Sequence, residues 1–136
     1  MNNYLWANAY WYFLHSFSCN INNNKLTNKN IYLINIFIIR LMNSIPCEKC
    51  KIDSVNYFEN NMFKKIKTKD EYKLFFFKFH NYVNNKIKKP VAKLNILNKY
   101  NNISFLEYLR IIDTIIYKNK LDKQIYKFFI LLQKNN

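Results

Sequence analysis

Apolar residues recur at helical spacing along almost the whole chain, and no alternating stretch of strand type interrupts them. Tyr4 to about Asn20 reads as a first helix, with Asn8, Trp11 and His15 on one stripe. Asn22-Asn23-Asn24 and Thr27 make a polar break, and a second helix then runs to about Ser44. That helix is apolar nearly all round: Ile31, Ile34, Ile38, Leu41 and Ile45 lie on one side, Leu33, Ile36 and Phe37 on others. A helix hydrophobic on every face is buried on every face. In so small a protein the pattern predicts a second copy of the chain against it, hence a homodimer.

Pro46 biases Ile45 away from helical geometry and suits a helix's first turn, so the second helix stops there. A third opens with Cys47-Glu48-Lys49-Cys50 and continues through Ile52, Val55 and Phe58 to a break at Asn60-Asn61. Thr68 and Glu71 form a capping box that starts a fourth helix, with Tyr72, Phe76, Phe79, Val83 and Ile87 as its core stripe; Pro90 ends it. Ser104 and Glu107 form a second such box before Leu109, Ile112 and Ile116, and a last amphipathic stretch covers roughly Asp122 to Gln133. The predicted fold is all-α: a four-helix core in residues 1–92 and a C-terminal helical extension in 93–136.

At 136 residues this is one domain, and with half its residues apolar it is no disordered tail. The absence of glycine changes the picture more. Phosphate-cradling loops of the Walker and dinucleotide-fold types need glycine, so a bound nucleotide must be gripped by side chains and helix ends. The net charge of +14 invites a nucleic-acid reading. Nearly all of it is lysine, however, spread along a chain also rich in Asn, Ile and Tyr, as A/T-rich codons would produce, and solvated surface is the stronger reading. Met1-Asn2-Asn3-Tyr4 lacks a basic secretory n-region, and the run Ile31 to Ile45, broken by Asn35 and Arg40, is too short to span a bilayer. The expectation is a soluble cytoplasmic protein, not a secreted one.

The chemistry concentrates in two places. A Cys47-x-x-Cys50 pair at a helix start puts two thiols within disulfide range and exposes the first to the positive end of the helix dipole. Its bland readings are half a zinc site or two incidental core cysteines. Zinc would need two more ligands from little beyond Cys19, His15 and His80, so a redox pair with no metal is the stronger reading. A thioredoxin-type domain is excluded, since strand–helix alternation is lacking. Cys19 is left over, either a buried free thiol or an intersubunit disulfide partner. The second place is the fourth helix, where His80 and Asn84 share a face one turn apart, Asn81 is adjacent, and Lys86 and Lys89 follow. That set reads as a hydrogen-bonded polar seam or as a grip on an adenosine and its pyrophosphate.

Three blocks, in this order, resemble the Erv/ALR family of FAD-linked sulfhydryl oxidases. Trp6-Ala7-Asn8-Ala9-Tyr10-Trp11-Tyr12-Phe13-Leu14-His15-Ser16 is similar to the family's Trp-Gly-x-x-x-Trp-x-x-Leu-His-Ser/Thr. Pro46-Cys47-Glu48-Lys49-Cys50 matches its Pro-Cys-x-x-Cys, and Phe79-His80-Asn81-Tyr82-Val83-Asn84 through Lys89-Pro90 resembles its His-Asn-x-Val-Asn-x-x-Leu-x-Lys-Pro signature. The resemblance implies a four-helix bundle with a short fifth helix, non-covalent FAD at the bundle mouth, and commonly a dimer. It places Ala7, Asn8, Trp11, His15, His80, Asn81, Val83 and Asn84 at the cofactor, with Lys86 and Lys89 near its phosphates. Cys50 would lie beside the flavin and Cys47 would be the outward, exchanging thiol. Thiol-bearing protein substrates and O₂ are the implied partners.

The chain departs from the pattern at Ala7, where the family has glycine, and at Asn8, where many cellular members have arginine. It also lacks a second Cys-x-x-Cys shuttle, a pared-down form that resembles the members encoded by large DNA viruses. Two rival readings remain at this level: a basic helical nucleic-acid-binding protein with an inert cysteine pair, and an interaction subunit whose FAD site is degenerate.

Overall fold

The computed structural model describes residues 3–133, so Met1 and Asn2 of the stretch read for a secretory signal lie outside it. The described residues form six α-helices: α1 (Asn3–Asn20), α2 (Asn28–Met42), α3 (Glu48–Asn60), α4 (Lys69–Lys86), α5 (Phe105–Ile112) and α6 (Lys123–Leu132). Short 3-10 segments cover Asn23–Lys25, Phe63–Lys65 and Leu94–Tyr100, and α5 runs on into a π-helical turn, Asp113–Tyr117. The strand-like content among the described residues is one isolated bridge, Ile21 with Gln133. No described helix is long and apolar enough to cross a membrane.

Local chemistry starts several of these elements. Thr27 caps α2 by accepting from Asn30 N–H, and Thr68 caps α4 by accepting from Glu71 N–H at 3.1 Å. Glu71 reaches back to the Lys67 N–H, one residue before the cap position of the predicted box. Ser104, by contrast, makes no side-chain cap bond. The approach to α5 is held by Asn20, whose amide donates to Tyr100 O and Ile103 O at 2.7 and 2.9 Å, and by burial of Phe105 and Leu106. A chain without glycine must also put other residues in the left-handed region, and Lys88 (φ 62°) does this just past α4. The Lys88 and Lys89 amides close back on Asn85 O and Asn84 O at 3.3 and 2.8 Å, the Schellman pattern.

Helix α1 forms the centre. Every residue from Phe13 to Cys19 is buried. The expectation that the second helix is buried on every face is corrected for the single chain: α2 leaves Tyr32 66% and Leu33 39% exposed. The C-terminal segment closes the same core. Phe105 packs on Phe17, and Phe129 packs on Phe13, Phe17 and Phe37. Leu109 and Leu132 are fully buried in that cluster. Residue 92 therefore marks a change in sequence pattern, and one continuous core spans it.

Candidate active site

Pro46 lies just outside α3, and Cys47 takes the extended cap position at its start. Its Sγ accepts from Cys50 N–H at 3.2 Å, and the two cysteines form a disulfide with their Cα atoms 5.2 Å apart. Both are half-buried against the core. The cap bond and the positive end of α3 both favour negative charge on the Cys47 sulfur once the disulfide opens.

Three contacts carry this turn to the site's other parts. The Ser44 hydroxyl donates to Leu41 O, so the Tyr10 hydroxyl donates to Ser44 Oγ at 2.9 Å. That bond ties α1, one residue before Trp11, to the chain leading into Pro46 and Cys47. Helices α3 and α4 run antiparallel, with Tyr57 stacked on Tyr82 at 4.7 Å and Lys86 paired with Asp53 at 3.1 Å. This register brings the start of α3 to the end of α4.

Six residues before the end of α4, aromatic and imidazole groups from α1 gather on His80. Trp11 lies flat on His80, with centroids 3.9 Å apart and planes 7° from parallel. His15 Nε2 and His80 Nδ1 share one hydrogen bond at 2.9 Å, and Tyr100 closes on the His15 ring at 4.8 Å. His15 Nδ1 and Trp6 Nε1 are buried with no hydrogen-bond partner among the described residues. Burial lowers the His15 pKa to about 3, helped by His80 and Lys99. Burial also lowers His80 to about 4, and the Lys99 and Lys89 ammonium groups push it the same way. Both imidazoles are neutral at pH 7, so each ring keeps an acceptor nitrogen.

The remaining predicted residues divide. Asn81 is clamped on the chain itself: its amide donates to Ala92 O at 3.0 Å, and its Oδ1 accepts from Ala92 N–H at 2.9 Å. Asn84, buried, donates to Asn81 Oδ1 at 3.4 Å. Val83 and Ala7 are half-buried against the core, while Asn8 is exposed. The stripe Asn8–Trp11–His15 therefore runs from solvent to interior. Lys86 is engaged by Asp53 and lies over the Tyr82 ring at 4.9 Å. Lys89 is exposed. Cys19 is a buried free thiol whose Sγ faces Leu97 O, and burial raises its pKa. Among the described residues no three His, Cys, Asp or Glu side chains converge as metal ligands.

Sequence reasoning missed Tyr100 and Lys99. Both sit on the Leu94–Tyr100 turn, with the Lys99 ammonium over the Tyr12 and Tyr100 rings at 5.4 and 5.1 Å. The Asn-rich stretch around them offers no periodicity to flag it.

An all-α bundle with a Cys-x-x-Cys disulfide at one helix start, and stacked Trp and His side chains on two neighbouring helices, fits a helical thiol-redox class. The chain belongs to the Erv1 / Alr family, whose model matches residues 8–103. Protein 096R of Invertebrate iridescent virus 3, provisionally named an FAD-linked sulfhydryl oxidase, is 29% identical over 98 residues. That match covers 71% of this chain and 66% of the viral protein, just under two thirds of its length. No solved structure gives a significant match.

Proposed function

We propose that this protein is an FAD-dependent thiol oxidase that forms disulfides in protein substrates, with O₂ as acceptor and H₂O₂ as product. The reading rests on family membership, and one observation carries it furthest. The Cys47–Cys50 disulfide opens α3, and its antiparallel neighbour α4 carries His80, on which Trp11 and His15 of α1 converge. An orphaned His15 Nδ1 in that cluster fits a polar ligand. Trp11 and His15 would line the flavin pocket, His80, Asn81 and Asn84 would contact the cofactor, and Lys86 and Lys89 would lie near its phosphates. Ala7, Asn8 and Val83 would line the approach. When bound, FAD supplies a two-electron acceptor that can be reoxidised by O₂.

The chain's own sulfurs do the exchange. A substrate thiolate attacks Cys47 Sγ, a bond forms between the two sulfurs, and the Cys47–Cys50 bond breaks with Cys50 leaving as thiolate. A second substrate thiolate then attacks the substrate sulfur of that mixed disulfide, and Cys47 leaves. The Cys50 N–H and the start of α3 stabilise the departing Cys47 thiolate, which makes it the better leaving group. Two electrons and two protons have passed from substrate to the Cys47, Cys50 pair, one substrate disulfide has formed, and the flavin is the proposed acceptor from Cys50.

The viral relative extends the reading to a virus-encoded enzyme acting in the host cytoplasm, at assembly sites or in particles. The exposed Tyr32 and Leu33 of α2 support a homodimer. Purified protein should be yellow, with an oxidised-flavin absorption band, and should consume O₂ with dithiothreitol. Cys50→Ser should abolish turnover; full activity in that variant would remove the assigned roles. A colourless preparation that binds duplex DNA steeply with falling salt would favour the nucleic-acid reading.

A further inference from the structure

Between Glu71 and Glu107 the chain holds seven lysines and no aspartate or glutamate. Within that stretch every residue from Asn85 to Val91 is exposed, including Ile87 at 54% and Val91 at 62%. The ridge is held at both ends. The Schellman bonds from the Lys88 and Lys89 amides close its start, and the paired Asn81–Ala92 bonds close its finish. The antiparallel register of Asp53 with Lys86 brings Ile52 of α3, itself 52% exposed, level with Ile87. Ile52 is two residues from Cys50. Of the acidic groups near the disulfide, Glu48 is paired with Lys51 at 2.9 Å and Asp53 with Lys86. The start of α3 adds the positive end of its dipole.

A preformed ridge with aliphatic side chains and a lysine excess, next to the helix that opens with the redox disulfide, fits one kind of occupant. We propose that Ile87, Lys88, Val91 and Lys93, with Ile52, form the docking surface for protein substrates, Lys86 and Lys89 being left to the cofactor, and that this surface selects an extended segment carrying acidic and aliphatic side chains. The inference rests on the thiol-oxidase reading and adds the substrate class. Charge complementarity favours this occupant, because the ridge carries no carboxylate to pair with a basic segment, while its aliphatic tips add nothing to binding a phosphate backbone. Fixing the ridge in advance reduces the ordering cost of docking.

The test uses the flavin-loaded full chain and follows O₂ consumption. Substrates are dithiothreitol and three dithiol peptides identical except for acidic, uncharged or basic flanks. The acidic peptide should show a KM roughly five- to tenfold below the uncharged one at low salt, with similar kcat, and the gap should narrow as salt rises. Lys88→Glu with Lys93→Glu should invert that order while dithiothreitol turnover stays at the wild-type rate. Equal KM values for the three peptides overturn the proposal, as does an acidic preference that survives the double reversal. So does duplex DNA binding that the reversal weakens without any change in peptide KM, or loss of dimer with peptide KM intact. Binding of the acidic peptide with both cysteines changed to serine, followed by fluorescence anisotropy, separates the two readings. Binding that persists in a protein unable to oxidise dithiothreitol would remove the oxidase function and leave an acidic-segment surface. Oxidation of dithiothreitol without such binding would do the reverse.

Discussion

Helix α1 is surrounded through two turns, from Phe13 to Cys19, although that span holds a histidine, two serines and a thiol. Helix α2, mostly isoleucine, leucine and phenylalanine, keeps one flank in solvent at Tyr32 and Leu33. The difference lies in where the polar groups send their hydrogen bonds. Ser16 donates to Tyr12 O at 2.5 Å and Ser18 to His15 O at 3.1 Å, so each hydroxyl is satisfied by its own helix and can be buried at little cost. His15 is satisfied on one side by His80. Polarity that a helix absorbs internally does not oppose burial, and apolar character does not guarantee it when the neighbours run out. The helix that tolerates buried polar groups is also the one that supplies the candidate site.

The largest test of this contrast is a cavity in α1. Phe17 is fully buried and touches the rings of Phe13, Tyr72, Phe105 and Phe129. Phe17→Ala should cost about 3–5 kcal/mol, read as a shift in the urea midpoint. A loss under about 1 kcal/mol would mean that α1 is not the centre of the packing.

Next is acid. His15 and His80 have folded-state pKa values lowered to about 3 and about 4, below the ordinary 6.5. The unfolded chain therefore binds these protons first, and stability rises with pH across that interval. The contribution is fully present above about pH 6.5 and is lost as pH falls toward the folded values. Unfolding free energy should drop by about 2 kcal/mol per imidazole, roughly 4 kcal/mol in all, between pH 7 and pH 5, and His15→Gln should remove about half of that slope. An unchanged midpoint across the interval would place the imidazoles in solvent.

These helices also show what could be read from residues alone. The opening of α3 was legible because its causes are local: Pro46 and the Cys-x-x-Cys spacing act within one turn. The α4 start was legible from Thr68 and Glu71 for the same reason. Ser104 carried the same local pattern and made no cap, because Asn20 and the buried Phe105 hold that approach from a distance. The enclosure of α1 was hidden because a hydropathy pattern scores Ser16 and Ser18 as polar, whatever their hydroxyls bond to. Trp11, His15 and His80 could be nominated by motif, but their stacking depends on the α1–α4 crossing, which no spacing encodes. Tyr100 and Lys99 enter from a segment whose position is set entirely by tertiary contacts.

A third test concerns α2's own buried polar group. The Tyr72 hydroxyl donates to Asn35 Oδ1 at 2.6 Å in the interior. Tyr72→Phe would strand that carbonyl and should cost about 1–2 kcal/mol. Neither group titrates near neutrality, since burial raises the Tyr72 pKa further still. The loss should therefore be the same at pH 5 and pH 7, unlike the His15 effect. A pH-dependent loss would mean that the two helices' polar groups are coupled.

The smallest expected stability change falls on the exposed flank of α2. Leu33 is 39% exposed and Tyr32 66%, so within one chain a charge at position 33 meets mostly water. Leu33→Asp should alter the urea midpoint of the monomer by no more than about 0.5 kcal/mol. The same substitution places a carboxylate in any apolar interface made by that flank, where desolvation without a partner is costly. Sedimentation velocity over a concentration series should then show the wild type pairing and Leu33→Asp remaining single. If both sediment alike as dimers, α2 is not the pairing face. If both are monomers, the flank is ordinary surface, and the contrast between the helices is confined to where each finds partners inside one chain.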